Sequence, residues 1–114
     1  MRQGAESRPE TLVRLAIADA GLPEPEVNVN VYAADGTFIG RGDLLYRRYR
    51  VVVEYDGEQH RTDSWQYDSD IGRLDRFAAS GWRVVRLTGR AFFADPATCL
   101  ARIEQALVAG GWRR

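Results

Sequence analysis

The segment "RGDLLYRRYRVVVEYDGEQH", residues 41–60, decides the fold, since it contains a hairpin and the strand around which a sheet can form. Its Val51-Val52-Val53 run is apolar on both faces, which is typical of a strand at the centre of a sheet. Two acids, Glu54 and Asp56, end this run, and His60, the only histidine, follows soon after. Burying a charged acid is unfavourable unless it is paired, so acids at the end of a buried strand indicate either a functional site or a charged partner.

The hairpin places a third acid beside these two. A two- or four-residue loop around Arg48-Tyr49 predicts a register in which Asp43 lies opposite Glu54, with Cβ atoms about 4.5–5.5 Å apart. Asp56 then shares the face of Glu54. Three converging carboxylates predict a site for Mg²⁺, with Mn²⁺ as an alternative ion. A three-residue loop would place Asp43 and Glu54 on opposite faces.

Each of these acids also has a structural explanation. In the same register Arg41 opposes Asp56 and is a candidate salt-bridge partner, and Asp56-Gly57 alone is typical of a turn. Asp43 alone is typical of a solvated strand residue. Glu54 is harder to explain in this way, because it directly follows three valines on a central strand.

Two further residues are candidates for the same site. His60 is either a general acid or base near neutral pH or a surface histidine. Glu10 completes a capping box with Ser7 at the start of the first helix. Alternatively, Glu10 faces the sheet and joins the acids.

The rest of the chain predicts helices and strands in the order α-β-β-β-α-β-α. Alternation of Val27, Val29 and Val31 predicts a half-buried first strand, followed by a turn at Asp35-Gly36. Further strands are predicted over about 37–46, 50–56 and 82–88. Helices are predicted over about 8–20, within 62–81, and from Asp95-Pro96 to Gly110. A crossover helix after the third strand makes the fourth strand parallel to it.

The apolar residues also predict which face of each helix is buried. The predicted faces are Leu12, Leu15 and Ala16, backed by Val13 and Ile17, in the first helix; Ile71, Leu74 and Ala78 in the second; and Cys99, Leu100, Ile103 and Leu107 in the last.

Composition is that of an ordinary globular protein, and the 114 residues predict a single domain over 1–114. No apolar run approaches the roughly 20 residues of a membrane span, no secretory signal opens the chain, and a single cysteine, Cys99, excludes an internal disulfide. We therefore predict a cytoplasmic protein without membrane contact. Net charge is zero, and all 16 basic residues are arginine, which excludes a catalytic lysine within this chain.

Asp43, the triplet Glu54-Tyr55-Asp56 and the pair Gln59-His60 resemble the PD-(D/E)XK nuclease superfamily. More narrowly, the phrase "VEYDGEQH" and the later "DIGRLDRFAASGWRVVRLT" are similar to very-short-patch-repair-like (Vsr-like) endonuclease domains, small bacterial proteins that include many domains of unknown function. The resemblance covers about residues 8–108. It implies an α/β fold with a restriction-endonuclease-like αβββαβ core, a four-stranded mixed sheet flanked by helices, and an extra C-terminal helix.

The resemblance also implies roles for the matching residues. Asp43 and Glu54 match the metal-binding positions, and Glu10 matches an acidic residue of the first helix. Asp56 stands where the superfamily has its lysine, a position at which the Vsr-like branch commonly has Asp-Gly; we predict that it assists the metal. Gln59 and His60 match the downstream polar pair of that branch, and we predict that His60 assists proton transfer.

The function so implied is a Mg²⁺-dependent DNA endonuclease in DNA repair or defence. Because a compact domain of 114 residues contacts little DNA alone, a homodimer or a partner protein is a further expectation. Arg47 and Arg48 at the hairpin and Arg86 on the fourth strand are candidate DNA contacts, because guanidinium groups pair well with phosphate. Each is also explained as a solvated arginine, and Trp82 as a core residue rather than a base-stacking one. Two alternative functions remain: a catalytically degenerate nucleic-acid-binding module linked to a toxin–antitoxin system, and a protein-interaction domain.

Overall fold

The chain folds as an α/β protein with a four-stranded mixed sheet flanked by helices, as predicted. The computed structural model describes the backbone of residues 8–56 and 64–114 and the side chains of residues 10–56 and 71–114. The elements are α1 (Arg8–Asp19), β1 (Glu26–Tyr32), β2 (Phe38–Tyr46), β3 (Val51–Asp56), α2 (Ser64–Ala79), β4 (Arg83–Thr88), α3 (Gly89–Ala94) and α4 (Pro96–Ala109). Among the elements of these described ranges, the short helix α3 is the one that was not predicted. No helix in these ranges is long and apolar enough to cross a membrane.

The sheet has the strand order β1-β2-β3-β4. The pairs β1/β2 and β2/β3 are antiparallel, and β3/β4 is parallel, so the predicted central position of β3 and the predicted direction of β4 are confirmed. β2 and β3 are joined by four residues, 47–50, and pair Leu44 with Val53 and Tyr46 with Val51. This is the register that the four-residue loop predicts.

A bend in the β1–β2 hairpin determines which face its residues cover. Asn28 adopts the left-handed φ of 53°, which asparagine tolerates better than most residues. Val27 therefore packs in the core on one face of the sheet, whereas Val29 and Val31 pack on the other. The predicted common face for the three valines is wrong for Val27, because the left-handed residue reverses the alternation.

The bend folds the hairpin tip over the face of the sheet that α2 covers, which we call the α2 face. Val31 and Ile39, near the tip, share a core with Leu45 and Val52 from the centre of the sheet. Gly42 permits this fold, because a Cβ atom there would lie 2.8 Å from Val52 Cγ2. The hairpin thus returns across β3 instead of extending away from it.

The two faces of the sheet carry separate cores. On the α2 face the core contains Val31, Ile39, Leu45, Val52, Phe77 and Trp82. On the opposite face, which we call the α4 face, it contains side chains of α1, α3, α4 and the sheet, among them Val13, Ile17, Val51, Val53, Phe92, Ile103 and Leu107. β3 contributes to both cores, and its three valines are fully buried.

The predicted buried faces of α1 and α2 are partly wrong. In α1, Leu12 and Leu15 are 40% and 59% exposed, and Val13 and Ile17 face the core. In α2, Phe77 is fully buried, whereas Ile71 and Ala78 are exposed. The residue one turn before Phe77 is Arg73, so a charged side chain occupies a sheet-facing position and hides the helical pattern. The predicted face of α4 is confirmed, with Cys99, Ile103 and Leu107 buried and Leu100 packed against them.

The corrected face of α2 gives a stability prediction. Phe77→Ala removes a fully buried ring and should lower the free energy of unfolding by about 3–5 kcal/mol. Ile71→Ala, on the exposed side of the same helix, should change it by less than about 1 kcal/mol. Urea denaturation of both variants measures the difference, and equal losses would contradict the assignment of the face.

Candidate active site

Glu54 is a buried acid at the acidic end of β3. It is 5% exposed, and its side chain lies on the α2 face between β2 and the helix. Arg73 Nη1 of α2 donates to Glu54 Oε1 at 2.6 Å and to the carbonyl oxygen of Arg41 on β2 at 3.1 Å. One guanidinium therefore connects α2 to β3 and β2.

The second carboxylate oxygen of Glu54 has a different environment. Oε2 is buried, and no hydrogen-bond partner for it exists among the described residues. It lies against Gly42, where a Cβ atom would be 4.0 Å away. A buried carboxylate oxygen without a donor is costly, so this atom marks a place where a cation or a proton would be favourable.

Asp43 lies beside Glu54 at the bend of the β1–β2 hairpin. Its Oδ2 accepts a hydrogen bond from the backbone N–H of Tyr55 at 2.8 Å, just beyond the last paired residues, Leu44 and Val53. Asp43 is also close enough to Glu54 for its charge and its backbone amide to act on that carboxyl group. Asp43 thus completes the β2/β3 ladder with its side chain and brings a second negative charge to Glu54.

Burial is the main cause that raises the pKa of Glu54, and the negative charge of Asp43 raises it further. The Arg73 guanidinium and the Asp43 backbone amide act in the opposite direction, and the resulting pKa is about 7. Burial therefore outweighs even a close ion pair. Near neutral pH the carboxyl is poised between its two protonation states.

Asp56 lies further along β3 and is paired with an arginine. Arg86 Nη2 of β4 donates to Asp56 Oδ2 at 2.9 Å, and the two side chains are 33% and 20% exposed. Asp56 is thus in a salt bridge, but the partner that the structure shows is Arg86, and the predicted pairing with Arg41 stays a prediction. Arg86, a candidate DNA contact, thus lies at the acidic end of the sheet.

The acids do not form a ready cluster of three ligands. No group of three or more His, Cys, Asp or Glu side chains within the described part of the chain is placed to hold a metal ion. Asp43 and Glu54 are neighbours, whereas Asp56 is engaged by Arg86. Gln59 and His60 lie outside the described residues, so their predicted roles stay predictions.

The other candidate residues lie on other elements of the fold. Glu10 is in the first turn of α1, a helix that packs on the α4 face through Val13 and Ile17, so its predicted contact with the acids stays a prediction. Arg47 and Arg48 are in the β2–β3 loop, at the end of β3 opposite Glu54. Trp82 is a core residue, 8% exposed and packed edge-to-face on Phe77 at 6.0 Å between ring centroids.

Arg73 is the site residue that the sequence did not identify. Its one available signal is its position four residues before Phe77, which places it on the buried side of α2 once Phe77 is known to be inward. The apolar pattern instead predicted that Ile71 and Leu74 lie on the buried face of α2, because an arginine in a sequence is normally assigned to the exposed face of a helix.

A family model named REase_MTES_1575 matches residues 10–107, nearly the whole chain. The chain belongs to this restriction-endonuclease-like family. Membership suggests a nuclease-type function and interaction with DNA, while the narrower Vsr-like resemblance stays a prediction.

Two curated relatives are 27% identical over 103 residues: "Uncharacterized protein MT2308" of Mycobacterium tuberculosis strain CDC 1551 / Oshkosh and "Uncharacterized protein Rv2248" of strain H37Rv. The match covers 90% of this chain and 38% of each relative, so the chain spans well under half of their length. No solved structure gives a significant match.

The side chains at this site fit a divalent cation in two respects. Glu54 Oε2 is a buried oxygen without a donor, and Asp43 adds a like charge beside it. A hard cation would satisfy that oxygen and offset the repulsion, since Mg²⁺ takes carboxylate oxygens as ligands. Arg73 already neutralises one charge through Oε1, so such an ion would share Glu54 with the guanidinium.

The raised pKa of Glu54 predicts how stability depends on pH in the metal-free protein. A carboxyl with a folded-state pKa of about 7, against an ordinary value of 4.5, binds its proton more tightly in the folded protein. Its contribution to stability is therefore complete below about pH 4.5 and is lost as the pH rises through about 7. The expected loss is about 3 kcal/mol.

Denaturation in EDTA over this pH range tests the prediction. Glu54→Gln should remove most of the decline, because the substituted side chain does not titrate. Glu26→Gln is the matched control, since Glu26 is an exposed strand acid paired with Arg47, and it should keep the decline. Parallel curves for wild type and Glu54→Gln would contradict the assignment.

Proposed function

We propose that this chain is a metal-dependent DNA endonuclease that hydrolyses phosphodiester bonds. The observation that carries the proposal is the buried Glu54 at the end of a central strand, with Asp43 beside it and one oxygen lacking a donor. The Arg73 ion pair alone does not explain this arrangement, because Oε2 of Glu54 stays buried without a donor and the charge of Asp43 lies beside it. Membership of a restriction-endonuclease-like family supports the same reading.

Glu54 and Asp43 would hold the ion, Mg²⁺ or alternatively Mn²⁺, with Asp56 as a further carboxylate near the substrate. When bound, the ion supplies a Lewis acid that polarises a phosphate oxygen and lowers the pKa of water. Arg73 keeps Glu54 in position from α2, and Arg86 does the same for Asp56 from β4. His60 is the proposed group for proton transfer, and Gln59 and Arg86 are proposed DNA contacts. The wider role in DNA repair or defence, and action as a dimer or with a partner protein, belong to the same proposal.

Calorimetric titration with Mg²⁺ and Mn²⁺, combined with a plasmid-nicking assay on the same samples, tests this function. Wild type should bind metal and nick DNA. Glu54→Ala should lose measurable metal binding and reduce nicking roughly 100-fold or more, because a ligand of the ion that stabilises charge on the phosphate is removed. Glu104→Ala, which removes a partly exposed acid paired with Arg114, should leave both unchanged. Absence of metal binding by wild type would contradict the proposal.

One observation favours a second candidate, a nucleic-acid-binding module that does not cleave. Glu54 and Asp56 each already have an arginine partner, and the described residues contain no group of three metal ligands. This candidate predicts DNA binding in EDTA that Glu54→Ala leaves unchanged, together with no nicking by wild type in any divalent ion. Nicking that depends on Glu54 would exclude it.

A further inference from the structure

A second polar cleft lies at the end of the sheet opposite the acids. It forms where the folded-back tip of the β1–β2 hairpin meets the β2–β3 loop and the start of β4. Its volume is about 380 Å³, and its walls include Tyr32, Arg47, Arg50, Ser80 and Trp82. We call it the arginine cleft. This volume falls within the range of sites that hold small molecules.

Arg50 gives the cleft a positive charge. Its Nη1 donates to the carbonyl oxygen of Ser80 at 3.4 Å, and its guanidinium lies 5.8 Å from the Trp82 ring centroid. Within the described residues it has no carboxylate partner. In a chain of zero net charge, such an arginine concentrates positive potential locally.

The backbone of Arg50 supports a specific use of this side chain. Its φ of 57° is left-handed, a conformation that glycine or asparagine adopts at lower cost. The hairpin loop therefore carries a strained arginine where a smaller residue would be more stable. Strain of this kind persists where the surroundings hold it, and it is concentrated at binding sites.

Arg47 contributes a second guanidinium that is already held in place. Its Nη2 and Nε bond both carboxylate oxygens of Glu26, at 3.1 and 3.3 Å. This pair is half exposed and close to neutral as a unit. The net charge that a ligand meets in the cleft is therefore that of Arg50. Arg47, held in place by Glu26, adds hydrogen-bond donors without adding net charge.

An exposed aromatic ring lies at the mouth of the cleft. Tyr32 is 58% exposed, and its ring packs edge-to-face against Phe38 with the centroids 5.6 Å apart. This contact restrains the ring and leaves much of its surface accessible. A ring beside an arginine is the combination that binds a nucleotide of a single strand, through base stacking and phosphate contact.

We propose that the arginine cleft binds one nucleotide of an unpaired DNA strand, with Arg50 contacting the phosphate and Tyr32 stacking on the base. The choice of DNA as partner rests on the proposed function. The cleft is separate from the acids, because Arg50 precedes β3, and Val51 and Glu54 are three residues apart on that extended strand, about 10 Å. DNA bound there would be anchored at a distance from the acidic pair.

Fluorescence anisotropy with a short labelled thymidine oligonucleotide, in EDTA at low salt, tests the proposal without requiring cleavage. Wild type should bind the oligonucleotide more tightly than it binds a duplex of the same length. Tyr32→Ala should weaken binding about five-fold or more, which corresponds to the weakest measured stacking of one base on an aromatic ring. Tyr32→Phe should restore binding, because the phenylalanine ring also stacks on a base. Arg50→Asn should weaken binding and reduce its dependence on salt, while asparagine keeps the left-handed backbone.

Two controls distinguish the cleft from general charge and from catalysis. Arg83→Gln removes an exposed arginine at the same end of the sheet. Its neighbours Trp82 and Val84 pack on the α2 face. Because side chains alternate along a strand, Arg83 points away from the cleft. This variant should bind nearly as wild type does. The second control is the absence of metal: binding is measured in EDTA, whether or not nicking is observed with Mg²⁺, so failure of the nuclease proposal stays distinguishable.

The proposal is overturned if wild type does not bind the oligonucleotide or prefers duplex. It is equally overturned if Tyr32→Ala and Arg50→Asn bind normally, or if Arg83→Gln weakens binding as much as Arg50→Asn does. Thermal denaturation of each variant confirms that a loss of binding is not a loss of folding.

Discussion

The ion pair between Glu54 and Arg73 is the interaction on which the arrangement of the sheet and α2 depends. A charge buried on a central strand destabilises the fold unless an opposite charge reaches it, and removing one partner of such a pair typically costs about 3–5 kcal/mol. Arg73 reaches Glu54 only when helix α2 packs across β2 and β3. From the same position it donates a hydrogen bond to the carbonyl oxygen of Arg41. The helix is thus oriented by a polar contact as well as by Phe77. Replacing a buried ion pair with two packed apolar residues is often neutral or stabilising. A functional role for Glu54 therefore explains why an acid occupies this position.

The bend in the β1–β2 hairpin has two consequences that are linked through one backbone feature. At its corner, Asn28, Gly42 and Asp43 bring a second carboxylate against Glu54. At its tip, the fold-back carries Tyr32 over the β2–β3 loop and forms the arginine cleft with Arg50. A straight hairpin would provide neither. The bend therefore places the Asp43–Glu54 pair and the arginine cleft at opposite ends of one sheet.

The sequence predicts the order of elements, the central strand β3 and the β2/β3 register, because long apolar runs and turn residues report local structure directly. It does not predict α3, a six-residue helix whose N-cap is the Thr88 hydroxyl, since so short a segment has no helical period. The faces of α1 and α2 and the reversal at Val27 depend on tertiary contacts: an arginine replaces an apolar residue opposite Glu54, and one left-handed residue inverts a strand. Asp43 and Glu54 were predicted as neighbours from register alone, whereas Arg73 required knowledge of where α2 docks.

The most direct test of this account is carbon-13 NMR titration of the Glu54 side-chain carboxyl, assigned by comparison with Glu54→Gln, in the absence and presence of Mg²⁺. The account predicts a midpoint near pH 7 without the ion, caused mainly by burial, and a clear displacement to lower pH when Mg²⁺ is added. A midpoint near the ordinary value of 4.5 that Mg²⁺ does not move would contradict it. That result would show that Arg73 alone satisfies the charge of Glu54.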